Sequence, residues 1–355
     1  MPQVETDLSL VGRVLEEDVY SRTGLLLLTK GAVLTHTDIY NLLRQRIWFV
    51  SVVNLVATDR ADVDFVGQLS SLSEEHGQIK SYIQAMDGIR GLFGQVTEEQ
   101  IPSLDSFSAP FLPLMNEVHM QAGIFRFLYA LEGSDSYTYR HSVNVGILSS
   151  LIAKLMNKSH QEIVTIGQAG LLHDIGKMLV ASDILLKPGK LTDEEFAEMK
   201  RHTIYGAQLI AKMAGGSELL SQCALLHHER LDGSGYPEGR KGGEIPIECQ
   251  IISVADVFDA ICSDRIYKGR TSPFEAAQQL WQAVFEGQLN AEIVTKFLHY
   301  IYSYYIGSRA VLNSGEEVEI VLIHKDEPIR PLVRKGERYI DLRSRRSLFI
   351  ERLIV

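Results

Sequence analysis

The stretch HHERLDGSGYP, His227 to Pro237, poses the problem that the fold of this chain has to solve. Adjacent histidines on a helix project about 100° apart, so both serve one site only if it lies between them or holds more than one ion. The Asp232-Gly233-Ser234-Gly235 run then ends the helix, and Pro237 fixes the exit. A surface turn accounts for the second half. It leaves the paired imidazoles unexplained.

Working outward, His141, His173-Asp174, His202, His227-His228 and Asp256 recur at intervals of roughly 25 to 32 residues. A helix of about 15 residues plus its connection fills such an interval, so each step carries the chain to another helix. A mainly α bundle can therefore project all of these groups into one cavity. Imidazole nitrogens and carboxylate oxygens suit iron, manganese or zinc without any thiolate. Five or more imidazoles are too many for one ion, so the count points to two, and a carboxylate such as Asp174 can bridge them. In LLHDIGK, Leu171 to Lys177, the lysine lies one turn from His173 and Asp174 and shares their face. It is placed either to hold a phosphate oxygen or a water, or to form a plain salt bridge with Asp174. His299 and His324 have no such partners in the pattern and read as ordinary structural histidines.

Composition narrows the class. With 355 residues the chain has room for two or three domains, and 45% hydrophobic with 23% charged residues describes an ordinary globular protein. A net charge of −10 argues against broad binding of nucleic-acid polymers or anionic membranes, while leaving room for a local basic pocket. Cys223, Cys249 and Cys262 follow no metal or disulfide spacing and are expected as reduced, buried thiols of a cytoplasmic protein. No long apolar run occurs, and MPQVETDLSL lacks a basic start followed by an apolar core, so neither a membrane span nor export is expected.

Four segments are expected. Residues 1–60 read as a small β/α module: GRVLEEDVYS and GLLLLTKGAVL flank Arg22-Thr23-Gly24 in a hairpin-like pattern. HTDIYNLLRQR adds a short helix and WFVSVVNLV another strand. Residues 61–110 form a helical connector with a breaker at Pro102. Residues 111–306 hold the helical pattern and every chemically informative residue. Residues 307–355 are β-rich, with strands around the turn NSGE, forming either a small barrel or a sheet shared with the N-terminal module.

LLHDIGK, then DILLKPGKLTDEEFAEMKRHTIYGAQLI, then LLHHERLDGSGYPEGRKGGEIPIECQIISVADVFDAICSDRIYKGR closely resemble the HD-GYP subgroup of the HD phosphohydrolase superfamily. The resemblance covers about residues 135 to 300. It implies an HD-type helical bundle and a bacterial phosphodiesterase that hydrolyses cyclic di-GMP at a di- or trinuclear metal centre. It places His141, His173, Asp174, His202, His227, His228 and Asp256 on metal-ligand positions and Lys177 on the HD-x-G-K lysine. Arg265 and Lys268 match positions that grip substrate phosphate. Asp259 matches an acidic position beside the centre, with either a catalytic part, orienting the water or a ligand, or a plain helix ion pair. Trinuclear members carry a glutamate one turn before the first histidine; here that residue is Tyr137, whose phenol ionises near pH 10. Two ions are therefore expected, iron or manganese. Ile266 stands where the family loop usually has proline.

The implied reaction is in-line attack on a phosphodiester by hydroxide held between two cations, with Asp174 bridging them, giving linear pGpG, with a second cleavage to GMP left open. Lys177, Arg265 and Lys268 would bind the phosphates. Tyr236 would offer an aromatic face at the rim, Asp232 would cap the turn, and Glu229 would bond a ligand histidine or face solvent. The Gly-Tyr-Pro surface is also linked in the family to contacts with GGDEF-domain cyclases, and homodimerisation is open to the flanking modules. Two other readings stand beside this one: a cyclic-dinucleotide receptor without turnover, and a phosphodiesterase for hybrid cyclic GMP-AMP.

Overall fold

The computed structural model describes residues 4–5, 10, 14–15, 17–20, 26–32, 34, 42, 47, 49–52, 77–120, 137–187, 189–263 and 273–354. The chain divides into two compact units, 1–74 and 75–355. The first contains strands β1 (Val4–Glu5), β2 (Val19–Tyr20), β3 (Leu26–Leu28) and β4 (Phe49–Val50). β1 pairs with β4 and β2 with β3, both antiparallel, with Val19 opposite Leu28. The β2–β3 pair is the hairpin expected around Arg22-Thr23-Gly24; its turn, and the helix expected at 36–46 apart from Leu42, lie outside the described residues. Leu10, Leu15, Val19, Leu34, Leu42, Val50 and Val52 form this unit's apolar core.

The second unit begins with α1 (Gly77–Phe93) and α2 (Leu104–Met120). Helix α2 runs across residues 110 and 111, where the sequence pattern alone divides connector from bundle. Its Pro110 lies against Gly88 of α1, where a Cβ would come 3.1 Å from the Pro110 Cβ. Then follow α3 (Tyr137–Leu155), α4 (His160–Leu172), a 3-10 turn at Ile175–Leu179, α5 (Ser182–Leu185), α6 (Asp193–Lys200) and α7 (His202–Lys212). The helical part closes with α8 (Glu218–Leu226), α9 (Ile247–Ser263), α10 (Pro273–Phe285) and α11 (Ala291–Ser303).

Local sequence accounts for several boundaries. Ser159 and Glu162 form a reciprocal capping box that starts α4, and Thr192 with Glu195 starts α6 in the same way. Asn290 caps α11 by accepting from the backbone of Glu292 and Ile293. Helix α3 is buried on every side from Arg140 to Ala153, which its run of small and apolar residues permits. It packs against α4 and α9 and forms the axis of the bundle. The first residues of α3, the ends of α4 and α8, and the start of α7 meet at one end of that axis.

The tail folds as β5 (Arg309–Leu312), β6 (Glu317–Leu322), β7 (Leu332–Lys335), β8 (Arg338–Asp341) and β9 (Ile350–Ile354). Their order is β8-β7-β6-β5-β9, antiparallel throughout. Among the described residues this is an open sheet made by the tail alone, neither a barrel nor shared with the N-terminal strands. Connections of two to nine residues join three of its four neighbouring pairs, so local pairing closes loops at lower entropic cost than pairing with strands about 260 residues away. Among the described residues no helix is long and apolar enough to cross a membrane.

Candidate metal centre

Each candidate ligand enters from a helix terminus or a buried helix face. His141 lies in the first turns of α3, His173 caps the C-terminus of α4, and Asp174 starts the 3-10 turn. His202 begins α7, His227 caps α8 with His228 following, and Asp256 lies on α9. Two helices thus point their C-termini, which carry partial negative charge, at the cluster, a field that favours cations. The turn between α4 and α7 approaches so closely that a Cβ on Gly176 would lie 2.0 Å from the His202 carbonyl oxygen. Only glycine fits there.

The side chains form two groups, Asp174 with His202, His227 and His228, and His141 with His173 and Asp256. In each group the potential ligand atoms lie within 4.8 Å of one another. Asp174 faces both. Its Oδ1 is 3.3 Å from His202 Nε2 and 3.7 Å from His227 Nε2. Its Oδ2 is 3.2 Å from His173 Nε2 and 3.6 Å from His141 Nε2. Asp256 adds Oδ1 at 3.1 Å from His141 Nε2 and Oδ2 at 3.7 Å from His228 Nδ1.

The other ring nitrogens decide the tautomers. His173 Nδ1 lies 2.7 Å from the Gly170 carbonyl, His202 Nδ1 2.7 Å from that of Met199, and His227 Nδ1 2.9 Å from that of Ala224. A carbonyl oxygen only accepts, so each Nδ1 carries a proton and each ring turns its Nε2 inward. His202 Nε2 and His227 Nε2 then face each other at 3.3 Å beside a carboxylate oxygen, with no hydrogen between them. Among the described residues, the buried His173 Nε2 and Asp174 Oδ1 meet no hydrogen-bond partner. Unpaired buried acceptors are costly. Ligands about 2.1 Å from one ion lie roughly 3.0–3.4 Å apart, so the separations and the chemistry of this donor set fit divalent cations.

Electrostatics agree with that fit. Burial lowers the pKa of His227 well below its usual value, helped by His228 and His173, and burial likewise lowers His202. Burial, against the pull of Asp256, brings His228 down to about 3. Burial would raise Asp174, but His173, Lys177 and His202 outweigh it and hold the carboxyl well below the usual range. Asp256 is held down similarly by His141 and His228 against its own burial. His141 is the exception: burial lowers it, yet Asp256 and Asp259 raise it to about 10. Between two carboxylates, its position favours a positive charge, whether proton or metal.

Lys177 lies with Nζ 2.5 Å from Asp174 Oδ2, and that carboxylate outweighs burial to keep the amine charged. Asp259 is fully buried; its Oδ2 is 2.8 Å from His141 Nδ1, and its Oδ1 accepts from Asn144 Nδ2 at 2.9 Å. It meets His141, one of the candidate ligands. Tyr236 packs its ring on His228 at 4.6 Å between centroids. Asp232 Oδ1 accepts from the backbone and hydroxyl of Ser234, capping the turn.

Glu229 differs from both expectations. It is buried and, among the described residues, bonds no histidine; its carboxylate accepts from the backbone N–H groups of Glu238, Gly239 and Arg240 at 2.7, 3.0 and 3.0 Å. It thereby pins the loop after Pro237. Arg230 pins the other side, donating to the carbonyls of His227 and Glu229 and to Ser253 Oγ on α9. Arg265 and Lys268 lie outside the described residues, as does Ile266. Of Tyr137 only its place at the start of α3 is described. Asn144 was not singled out by the sequence, although it lies one turn from His141 on the same helix face. His299 and His324 lie far along the chain from the cluster, with His324 Nε2 3.3 Å from Asp341 Oδ1.

Residues 130–290 match the family model described as HD domain. The chain is 38% identical over 207 residues to a cyclic di-GMP phosphodiesterase of Pseudomonas aeruginosa, covering 58% of this chain and 50% of that protein. It is 37% identical over 224 residues to a cyclic di-GMP phosphodiesterase of Thermotoga maritima, covering 63% and 57%. It is also 37% identical over 157 residues to the 3'3'-cGAMP-specific phosphodiesterase 3 of Vibrio cholerae, covering 44% and 34%. The chain thus spans between about a third and just over half of the length of these relatives. The solved structure of Bd1817, a HDG"Y"P protein from Bdellovibrio bacteriovorus, shares the fold with a TM-score of 0.50 at 17% identity, covering 83% of this chain and 98% of that one.

Proposed function

We propose, on the premise that residues 130–290 form an HD domain, that this protein is a cytoplasmic phosphodiesterase opening cyclic di-GMP to linear pGpG, and onward to GMP, at a dinuclear metal centre. The observation that carries the reading is the carboxylate of Asp174, whose two oxygens face separate groups of imidazoles. The ligands are His141, His173, Asp174, His202, His227, His228 and Asp256. Two divalent cations, iron or manganese, would supply a Lewis-acid pair that acidifies water and neutralises phosphate oxygens.

The protein's own groups do the rest. Asp174 stays ionised and joins the two halves of the site. Lys177, charged and half-buried, reaches one phosphate oxygen, and Arg265 and Lys268 take the others. Asp259 orients His141 without touching substrate. Tyr236 keeps its phenol proton, because burial and the carboxylates of Asp174 and Asp256 raise its pKa, and it presents a neutral aromatic rim to a guanine base. In the same reading residues 111–306 are the catalytic region. The 1–60 module, the 61–110 connector and the 307–355 extension flank it along the chain, and the exposed Asp232 and Ser234 of the Gly-Tyr-Pro turn offer a GGDEF-domain protein its contact.

A second substrate is supported by one observation: a relative specific for 3'3'-cGAMP is 37% identical over 157 residues, the same identity as a relative named for cyclic di-GMP shows over 224. Competition between the two dinucleotides, followed by chromatography of the linear products, separates the readings. Preferential cleavage of cyclic di-GMP is expected. Preference for 3'3'-cGAMP would transfer the assignment to the hybrid substrate, and tight binding with neither cleaved would make the protein a receptor.

A further inference from the structure

We propose that Tyr82 and Asn144 are positioning residues of the metal centre, fixing through Asp259 the ring orientation and tautomer of His141. The inference rests on the reading of His141 as a metal ligand. A chain of hydrogen bonds carries it: Tyr82 Oη donates to Asn144 Oδ1 at 3.0 Å, and Asn144 Nδ2 donates to Asp259 Oδ1 at 2.9 Å. Asp259 Oδ2 then lies 2.8 Å from His141 Nδ1.

Chemistry fixes the direction of every link. A carboxylate only accepts, so Asn144 must turn its amide nitrogen to Asp259, which leaves its oxygen for a donor. Tyr82 is that donor; burial raises its pKa, so the hydroxyl keeps its proton. The far oxygen of Asp259 accepts the Nδ1 proton of His141, directing Nε2 toward Asp174 and Asp256. Tyr82 and Asp259 are 0% exposed, Asn144 2% and His141 4%, so water does not substitute for any link. Without the tyrosine hydroxyl, the asparagine amide is no longer held in the one orientation that supports Asp259. A flipped amide would set oxygen against oxygen.

Tyr82 belongs to α1, outside the residues 130–290 matched by the HD-domain family model. The ligand geometry of His141 therefore depends on a helix that the family's own boundaries leave out. A buried polar network can also serve packing alone, and the experiment has to tell the two apart.

Metal-free wild type, Tyr82→Phe, Asn144→Leu and Asp259→Asn would each be titrated with Mn2+, free ion being counted by electron paramagnetic resonance, alongside melting temperatures of the metal-free proteins. Wild type is expected to bind two ions. Tyr82→Phe, which keeps the ring in place, should weaken one of them about 10-fold, and Asn144→Leu about 10- to 100-fold, the range for groups that support a ligand histidine. Adding Tyr82→Phe to Asp259→Asn should cost nothing more, because the relay is already cut. Affinity within twofold of wild type in both Tyr82→Phe and Asn144→Leu, even with lowered melting temperatures, overturns the inference and leaves the metal centre standing. Failure of wild type to bind Mn2+ overturns the metal centre and the inference with it.

Discussion

Asp174 is the residue on which the two halves of the centre meet, and its removal separates them. Asp174→Ala is expected to lose bound metal and all measurable turnover together, checked by elemental analysis and a hydrolysis assay on one preparation. Lys177→Ala tests the neighbouring charge. A hydrogen bond to a charged group contributes about 1.5–3 kcal/mol, so turnover should fall about 10- to 100-fold with metal retained. Parallel metal loss would make Lys177 a structural partner of Asp174. The histidines give a pH prediction for the metal-stripped protein. His202, His227 and His228 have lowered pKa values, so below pH 6.5 the unfolded chain binds protons that the folded chain refuses, and stability falls. His141 has the opposite sign: its stabilisation is full below its ordinary value of 6.5 and is lost as pH rises through about 10. Melting temperature from these groups should therefore peak near pH 6.5 and decline on both sides. The convergence of the candidate ligands was legible in the sequence, because their types and intervals survive in one dimension. Asn144 and Glu229 were not, since a polar residue's partner depends on which distant backbone or carboxylate the fold brings to it. Tyr82 was hidden for the same reason, some 60 residues from Asn144 with no pattern joining them.

At the level of helices and turns, the centre is an arrangement of helix ends. His173 and His227 close α4 and α8, His202 opens α7, and the turn at Ile175–Leu179 lets those ends approach. Gly176→Ala would drive a methyl group into the His202 carbonyl, 2.0 Å from its Cβ position. That change should destabilise the fold by about 1–3 kcal/mol or more and weaken metal binding at His202, read by thermal melting and metal titration. Gly235 answers the question raised by the HHERLDGSGYP run. A Cβ there would lie 2.4 Å from the Arg230 backbone nitrogen and 2.5 Å from the His228 carbonyl oxygen, so the chain folds back tightly under the two histidines. Glu229 holds the far side of that fold. Glu229→Ala should release residues 238–240, seen as faster amide hydrogen exchange there. The apolar periodicity disclosed the bundle because helix faces repeat every few residues. The route of α2 through residue 110 was not legible, because prolines suggest a break that packing against Gly88 overrides.

For the molecule as a whole, the division into units 1–74 and 75–355 places every described member of the centre, and the Tyr82 relay, in the second unit. A chain beginning at Glu75 is expected to fold and retain metal binding, measured by melting temperature and metal stoichiometry. Loss of both would make the N-terminal module part of the catalytic fold. The tail disclosed its strands in sequence but not their partners, because pairing is set by loop closure and not by strand composition. The central claim is that the residues around Asp174 would hold two cations and that the protein cleaves a cyclic dinucleotide there. Its most direct test is to reconstitute metal-free protein anaerobically with iron, manganese or zinc, count bound ions, and follow cyclic di-GMP in the same samples. The account predicts two ions per chain and conversion to pGpG with iron or manganese. Two bound ions with the dinucleotide intact under all three metals, or cleavage that persists with none bound, would contradict it.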